Sequence, residues 1–217
     1  MACSCCAFGN TADQHFDAKK VAKELAQYRR KGPGPTTRGL RDGLVSAGVR
    51  AGTLLDIGGG LGILSLELLD AGFSRAVVVD AASAYLAAAA EEATRCGRSS
   101  SIEFVHGDFL MVAGQLWPSS VVTLDRVVCC YPFFEPLLGR ALPLAQAAFA
   151  ISYPRDRWFV RLGIWLENAM RRRRGNPFRT FVHPPSQIGR IIERSGYTLV
   201  SRHRTPAWSS DVFVRRS

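Results

Sequence analysis

The stretch Thr53-Leu54-Leu55-Asp56-Ile57-Gly58-Gly59-Gly60-Leu61-Gly62 constrains this chain more than any other. A short apolar run ends near a carboxylate, glycines follow at 58, 59, 60 and 62, and the apolar-rich segment Ile63 to Leu69 comes next. The pattern predicts a buried strand over 53–57, a tight turn, and a helix over 62–71. Glycines allow positive φ and let a ligand approach the backbone with no Cβ in the way. A nucleotide-like ligand fits that description.

The alternation continues on both sides. Phe16, Val21, Leu25 and Tyr28 fall near helical spacing and predict a helix over 15–30, stopped by Lys31-Gly32-Pro33-Gly34-Pro35. Thr36 or Thr37 is positioned to cap a second helix through Ala47. Both helices precede the glycine turn, so residues 1–50 read as a tail and lid, and 51–217 as the main domain. Strands are expected at 76–80, 102–106, within 121–130, and near 147–153. Helices are expected at 82–96, 133–147, 156–174 and from Pro184-Pro185 to about Ser195. Strands near 197–204 and 207–215, joined by Thr205-Pro206, read as an antiparallel hairpin at the sheet edge. The βαβα rhythm implies an α/β fold: a Rossmann-like, doubly wound, mostly parallel sheet.

At 217 residues the chain fits one domain with a sizeable core. No apolar run reaches the ~20 residues of a membrane helix. The N-terminus lacks the basic and apolar regions of a signal peptide, so a cytoplasmic location is expected. The six cysteines at 3, 5, 6, 96, 129 and 130 are expected to be free thiols. Cys3, Cys5 and Cys6 with His15 do not follow a zinc-site spacing, and no metal is expected. Residues 1–150 hold 14 Lys/Arg and 14 Asp/Glu, whereas 151–217 hold 14 and 4, so the net charge of +10 lies wholly in the final third. A basic third points to an acidic partner, which covers a carboxylated or phosphorylated molecule, a membrane surface or nucleic acid.

A dinucleotide fingerprint, Gly-x-Gly-x-x-Gly, requires a third glycine at 63 or 65, where Ile63 and Ser65 stand. Asp56 before the turn would repel a pyrophosphate and suits a cationic amine instead. Carboxylates recur at later strand ends. Asp80, 22 residues after Gly58, suits ribose hydroxyls. Asp108 suits an adenine amino group with Phe109 against the ring, and Asp125 closes the fourth strand. With Leu54–Gly62, Val77–Asp80, Gly107-Asp108-Phe109 and Leu124–Val128 in register, the chain resembles class I S-adenosylmethionine-dependent methyltransferases. That resemblance implies a seven-stranded sheet and S-adenosyl-L-methionine as cofactor. Gly58 and Gly60 would bend around its methionine part, within a set completed by Asp56, Gly59, Gly62, Asp80, Ala81, Asp108, Phe109 and Asp125.

Methyl transfer from a sulfonium is an in-line displacement that needs orientation, and a base only if the acceptor must lose a proton. The candidates for that base are His106, Tyr131 and His183. Cys129-Cys130-Tyr131-Pro132 is not the Asn/Asp-Pro-Pro-Tyr/Phe signature of amino-methylating nucleic-acid enzymes. The C-terminal layout, with Tyr153-Pro154-Arg155 leading into an aromatic helix, is loosely similar to magnesium-protoporphyrin O-methyltransferases, whose acceptor is a carboxylate. A small acidic or aromatic acceptor is therefore expected, ahead of RNA or DNA and of a non-catalytic cofactor-binding role. Helix 156–174 has three readings: an apolar lid, a segment lying on a membrane surface, or a helix packed on the sheet with Arg171 to Arg174 in solvent.

Overall fold

The computed structural model describes residues 11–13, 15–49 and 51–216. Cys3, Cys5 and Cys6 lie outside the described residues. Seven strands form one sheet: β1 (Thr53–Ile57), β2 (Arg75–Asp80), β3 (Ile102–His106), β4 (Ser119–Leu124), β5 (Ala145–Pro154), β6 (Tyr197–Arg204) and β7 (Trp208–Arg215). Their order is β3-β2-β1-β4-β5-β7-β6. The first five run parallel, and β7 pairs antiparallel with both β5 and β6. The chain order reverses between β1 and β4, and at such a switch point open α/β sheets leave a crevice.

The helices are α1 (Ala18–Lys31), α2 (Pro35–Ser46), α3 (Ile63–Asp70), α4 (Ser83–Arg95), α5 (Phe109–Val112), α6 (Phe134–Ala141), α7 (Trp158–Arg173) and α8 (Pro185–Arg194). One face of the sheet carries α2, α3 and α4, with Leu40, Leu44, Leu68, Leu86 and Ala93 buried against Leu54, Val78 and Val121. The other carries α6 and α8, with Phe134, Leu137, Ile188 and Ile192 against Leu124, Phe149 and Phe213. Each fully buried leucine contributes about 1.5–3 kcal/mol, so both faces need their helices. Strands covered on both sides carry no polar alternation, which is why 76–79 reads as a continuous apolar run and 54–57 is broken only by Asp56.

Three expectations need correction. Helix α2 is not a lid. It packs on the sheet so closely that a Cβ on Gly43 would stand 2.8 Å from Val212 Cγ2. Nor do the threonines cap α2: Gly34 is the N-cap, Pro35 takes the first turn, and Thr36 and Thr37 are buried within the helix. Proline with its fixed φ suits that first position. The helix expected over 133–147 ends at Ala141, because Pro143 lies in a 3₁₀ turn over Leu142–Leu144 and cannot supply a helical N–H.

Helix α7 departs furthest from its sequence pattern. Val160 is its one buried residue. Its apolar residues face outward, Trp158 at 76% exposed and Trp165 at 64%, with Phe159, Leu162, Leu166 and Met170 also exposed. The packed-on-sheet reading fails, because the inward side is made by Val160, Ile164, Asn168 and Arg171. No helix among the described residues is long and apolar enough to cross a membrane.

Candidate active site

A cavity of about 500 Å³ opens where the carboxyl ends of β1, β2 and β4 meet, a size suited to a small-molecule ligand. Its floor is the glycine turn, where Gly58, Gly60 and Gly62 have φ of 63°, 55° and 66°. The Gly58 N–H donates to Val79 O at 2.7 Å, tying the turn to β2. A Cβ on Gly58 would lie 2.5 Å from Val127 Cγ2, whereas at Gly60 the nearest atom is a Tyr85 ring carbon at 3.9 Å. Gly58 is thus required by its neighbour, and Gly60 keeps the cavity side of the turn open.

The four strand-end carboxylates occupy different environments. Asp56 is 1% exposed, and both its oxygens accept from hydroxyls, Thr123 Oγ1 at 2.6 Å and Ser65 Oγ at 2.8 Å. Burial pushes its pKa up to about 6, against those hydrogen bonds. Asp56 lines the cavity floor, but its first task is internal: it joins β1, β4 and α3 beneath the turn. Asp80 accepts from Gly60 N and Ala82 N, each at 2.8 Å, and burial raises its pKa too. Ala81 lies beside it on the cavity wall.

Asp108 is 6% exposed. Its Oδ1 caps α5 by accepting from Leu110 N at 3.1 Å, and accepts from Tyr131 Oη at 2.7 Å. Its Oδ2 is buried with no hydrogen-bond partner. Leaving such an atom unpaired costs about 1–3 kcal/mol or more, and Asp108 lies just behind the cavity wall and does not itself line it. Gly107 and Phe109 on either side both line the cavity. Asp125 accepts from Ser152 Oγ and Thr37 Oγ1, each at 2.6 Å. Arg126 follows with φ 62°, the one non-glycine residue at positive φ among the described residues. Strain of that kind gathers at functional sites.

Of the three candidate bases, only Tyr131 lines the cavity. Its hydroxyl donates to Asp108, and burial followed by that carboxylate pushes its pKa well up, so it suits a donor and not a base. His183 is 9% exposed, packs on Phe134, and holds Tyr131 O at 2.9 Å from Nε2. Burial lowers its pKa. It braces the segment beneath the cavity and does not line it. His106 is exposed on the outside of β3, 3.2 Å from Ala81 O, and is also absent from the lining. Cys129 and Cys130 are free thiols on the wall. The Cys129 thiol is held well up by its contact with Cys130 and by burial.

Several residues that the sequence did not assign to the site complete the walls: Lys20, Glu24 and Tyr28 from α1, Arg171 and Glu167 from α7, and Phe178. Helix α1 is docked to α4 by Arg29, which bonds the fully buried Glu92 at 2.7 Å, and Arg95 on α4 itself adds a second donor to that carboxylate at 2.6 Å. Arg171 does not join a solvent-facing run. It turns inward to Thr180 Oγ1 at 2.7 Å and lies 5.3 Å from the Phe178 ring centroid, while Arg172 to Arg174 stay exposed.

No protein-family model matches the sequence, and no curated protein matches it significantly. Solved structures are similar in fold. The magnesium protoporphyrin IX methyltransferase of Synechocystis PCC 6803, with bound S-adenosylhomocysteine, has a TM-score of 0.72 at 18% identity, over 94% of this chain and 98% of that chain. The CcbJ methyltransferase of Streptomyces caelestis has a TM-score of 0.62 at 17% identity, over 89% and 96%. A Pyrococcus horikoshii protein provisionally assigned as an RNA methyltransferase has a TM-score of 0.62 at 14% identity, over 85% and 84%. The chain therefore has the Rossmann-like fold of class I S-adenosylmethionine-dependent methyltransferases, and at these identities the likeness is one of fold.

Proposed function

We propose that this protein is an S-adenosylmethionine-dependent methyltransferase whose acceptor is a small acidic or aromatic molecule. The observation that carries the reading is the open glycine turn on the cavity floor with Asp80 beside it, and the unpartnered, buried Oδ2 of Asp108 after β3 supports it. An adenine amino group is the donor such an atom lacks. Asp80 at the end of β2 would take the ribose hydroxyls, and Gly58 to Gly60 with Asp56 would hold the methionine part. When bound, the cofactor supplies a methyl group on a positively charged sulfur. The protein then has to align the acceptor and exclude water. Helix α1 supplies the roof, and the rings of Phe16 and Phe178, edge to face with planes 77° apart, offer apolar surface with Arg126 and Arg171 nearby. An aromatic, anionic acceptor suits apolar rings with arginines nearby, and the Synechocystis neighbour acts on magnesium protoporphyrin IX.

Calorimetric titration with S-adenosylmethionine tests the cofactor. Labelled methyl transfer into fractionated cell extract, followed by mass identification, tests the acceptor. A protein that binds no S-adenosylmethionine, or whose Asp80→Ala variant loses nothing, ends this reading. A protein that binds it and transfers nothing is a sensor instead. Nucleic acid is the competing acceptor, favoured by the basic final third. Strongly salt-dependent RNA binding would favour it. Peripheral membrane contact is favoured by a separate observation, the outward Trp158, Leu162, Trp165 and Leu166 of α7 beside Arg172 to Arg174. Flotation with anionic liposomes that survives replacement of those three arginines by Ser, and of both tryptophans, would remove it.

A further inference from the structure

Lys20 takes part in a hydrogen-bond chain that fixes its protonation state. At the far end, the Phe178 N–H donates to Asn176 Oδ1 at 2.9 Å. That bond orients the amide, so Asn176 Nδ2 is the group 3.0 Å from His15 Nδ1. An amide nitrogen only donates, so Nδ1 must accept. Burial first, and then the charge of Arg171, lower the His15 pKa whether or not Lys20 is charged, so the ring is neutral and its one proton sits on Nε2. Stacking on Phe178, with centroids 4.3 Å apart and planes 2° apart, keeps the ring in place. Nε2 is 2.9 Å from Lys20 Nζ. With the proton on Nε2, the Nζ must offer a lone pair.

We infer that Lys20 rests as a neutral amine facing the cavity, and that it is the base that takes the proton of a hydroxyl acceptor. A charged Lys20 would set two N–H donors against each other at one end of the ring. Flipping the Asn176 amide to relieve them would set its NH₂ against the Phe178 N–H. Neutral Lys20 is the one state in which every contact pairs a donor with an acceptor.

The surroundings agree. The amine is half-buried, and burial lowers its pKa. The charged and titratable groups facing it are Glu24 on its own helix, Glu167 and Arg171 on α7, and Cys130 after β4. Arg171 opposes the ammonium, while the acids and the thiol favour it. The Phe16 ring centroid lies 4.3 Å from Nζ, and its π-face favours a cation once one forms. The amine is thus neutral at rest and supported after it gains a proton.

This role rests on the methyltransferase reading and narrows its acceptor. A carboxylate needs no base at neutral pH, whereas a phenol or enol does. The acceptor O–H proton passes to the Lys20 lone pair, an oxygen pair forms the new O–C bond to the methyl carbon, and the C–S pair stays on sulfur. The sulfonium charge disappears as the ammonium charge appears, and solvent later removes the proton.

The chain contains four lysines, Lys19, Lys20, Lys23 and Lys31, so ¹³Cε-lysine labelling gives a spectrum that a single Lys20→Arg variant assigns. Lys20 is expected to titrate below pH 7, more than about three pH units below the other three. His15→Ala, which removes the N–H that a neutral amine accepts, should move that titration upward. A Lys20 signal that titrates with the others, or ignores His15→Ala, overturns the proton assignment. In the extract assay, Lys20→Met should lower incorporation at pH 7 by about 100-fold or more, with Lys20→Arg no better. Full incorporation by Lys20→Met, or an acceptor methylated on a carboxylate, overturns the role as base. Calorimetric binding of S-adenosylmethionine should persist in Lys20→Met, which keeps failure here distinct from failure of the cofactor reading.

Discussion

Asp56 offers a prediction that can be worked through from geometry to assay. Its carboxyl is 1% exposed, and burial is the main reason its pKa rises from 3.8 to about 6. In the unfolded chain the group ionises near its ordinary value. Between pH 3.8 and 6 the folded state therefore holds a proton that the unfolded state has lost, and stability falls as pH rises. A shift of about two units amounts to about 3 kcal/mol, complete above pH 6. Asp56→Asn keeps the shape and cannot ionise. One hydroxyl of Thr123 and Ser65 can still donate to its oxygen, and the other can turn to accept from its NH₂. Relative to wild type, the variant should gain about 3 kcal/mol as pH goes from below 4 to 7. For a chain of this size that is a relative gain of about 6–12 °C in melting temperature. Paired thermal melts by circular dichroism across that range make the measurement, and pairing cancels the other titrating groups. A variant-to-wild-type difference that stays flat with pH would refute the idea that a buried, ionised Asp56 is held at a cost beneath the turn.

Other outcomes follow from the same geometry. Asp108→Asn keeps the Oδ1 contacts to Leu110 and Tyr131 but places NH₂ where Oδ2 stood, so S-adenosylmethionine should bind roughly 10- to 100-fold more weakly. An unchanged Kd by calorimetry would detach the adenine from Asp108. Gly58→Ala adds a Cβ 2.5 Å from Val127 and a positive-φ cost of about 1–2 kcal/mol, so it should lower the melting temperature, and Val127→Ala added to it should restore only the steric part. Glu92 is held down to about 2 by Arg95 and Arg29 against its burial, so its contribution is present above pH 4.5 and fades toward pH 2. Acid unfolding should therefore be steeper in wild type than in Glu92→Gln over that window. His183→Ala should lower thermal stability and leave S-adenosylmethionine binding intact, since the ring braces Tyr131 O from outside the cavity.

The elements around the glycine turn were legible because continuous apolar runs and glycines report local backbone need. The strand ends at Asp56, Asp80 and Asp108 fall at the ends of such runs and could be placed on one rim. What escaped depends on neighbours far along the chain. Thr37 reads as a cap by type, yet its hydroxyl is spent on Asp125, 88 residues later. The stripe Trp158, Leu162, Trp165, Leu166 signals an amphipathic helix, but periodicity cannot say which side meets the protein. The inner side proved to be Val160, Ile164, Asn168 and Arg171. His183 was conspicuous as a lone histidine before a Pro-Pro pair and turned out to be a brace. Lys20 was invisible, because its state is set by His15 and by Asn176, which lies 161 residues beyond that histidine.

Strand β7 comes last in chain order among the described elements, yet it lies between β5 and β6. During synthesis on the ribosome, β1 to β5 emerge first and can assemble the rim around the glycine turn. Through that interval β5 has one bare edge, with ten residues of backbone from Ala145 to Pro154, and only the residues from Trp208 onward can fill it. Helix α2 waits as well, since it rests on β6 and β7. The nascent chain is therefore exposed to edge pairing with other chains at a late and definable length. A stalled chain ending just before Trp208 should engage chaperones more than one ending past Arg215.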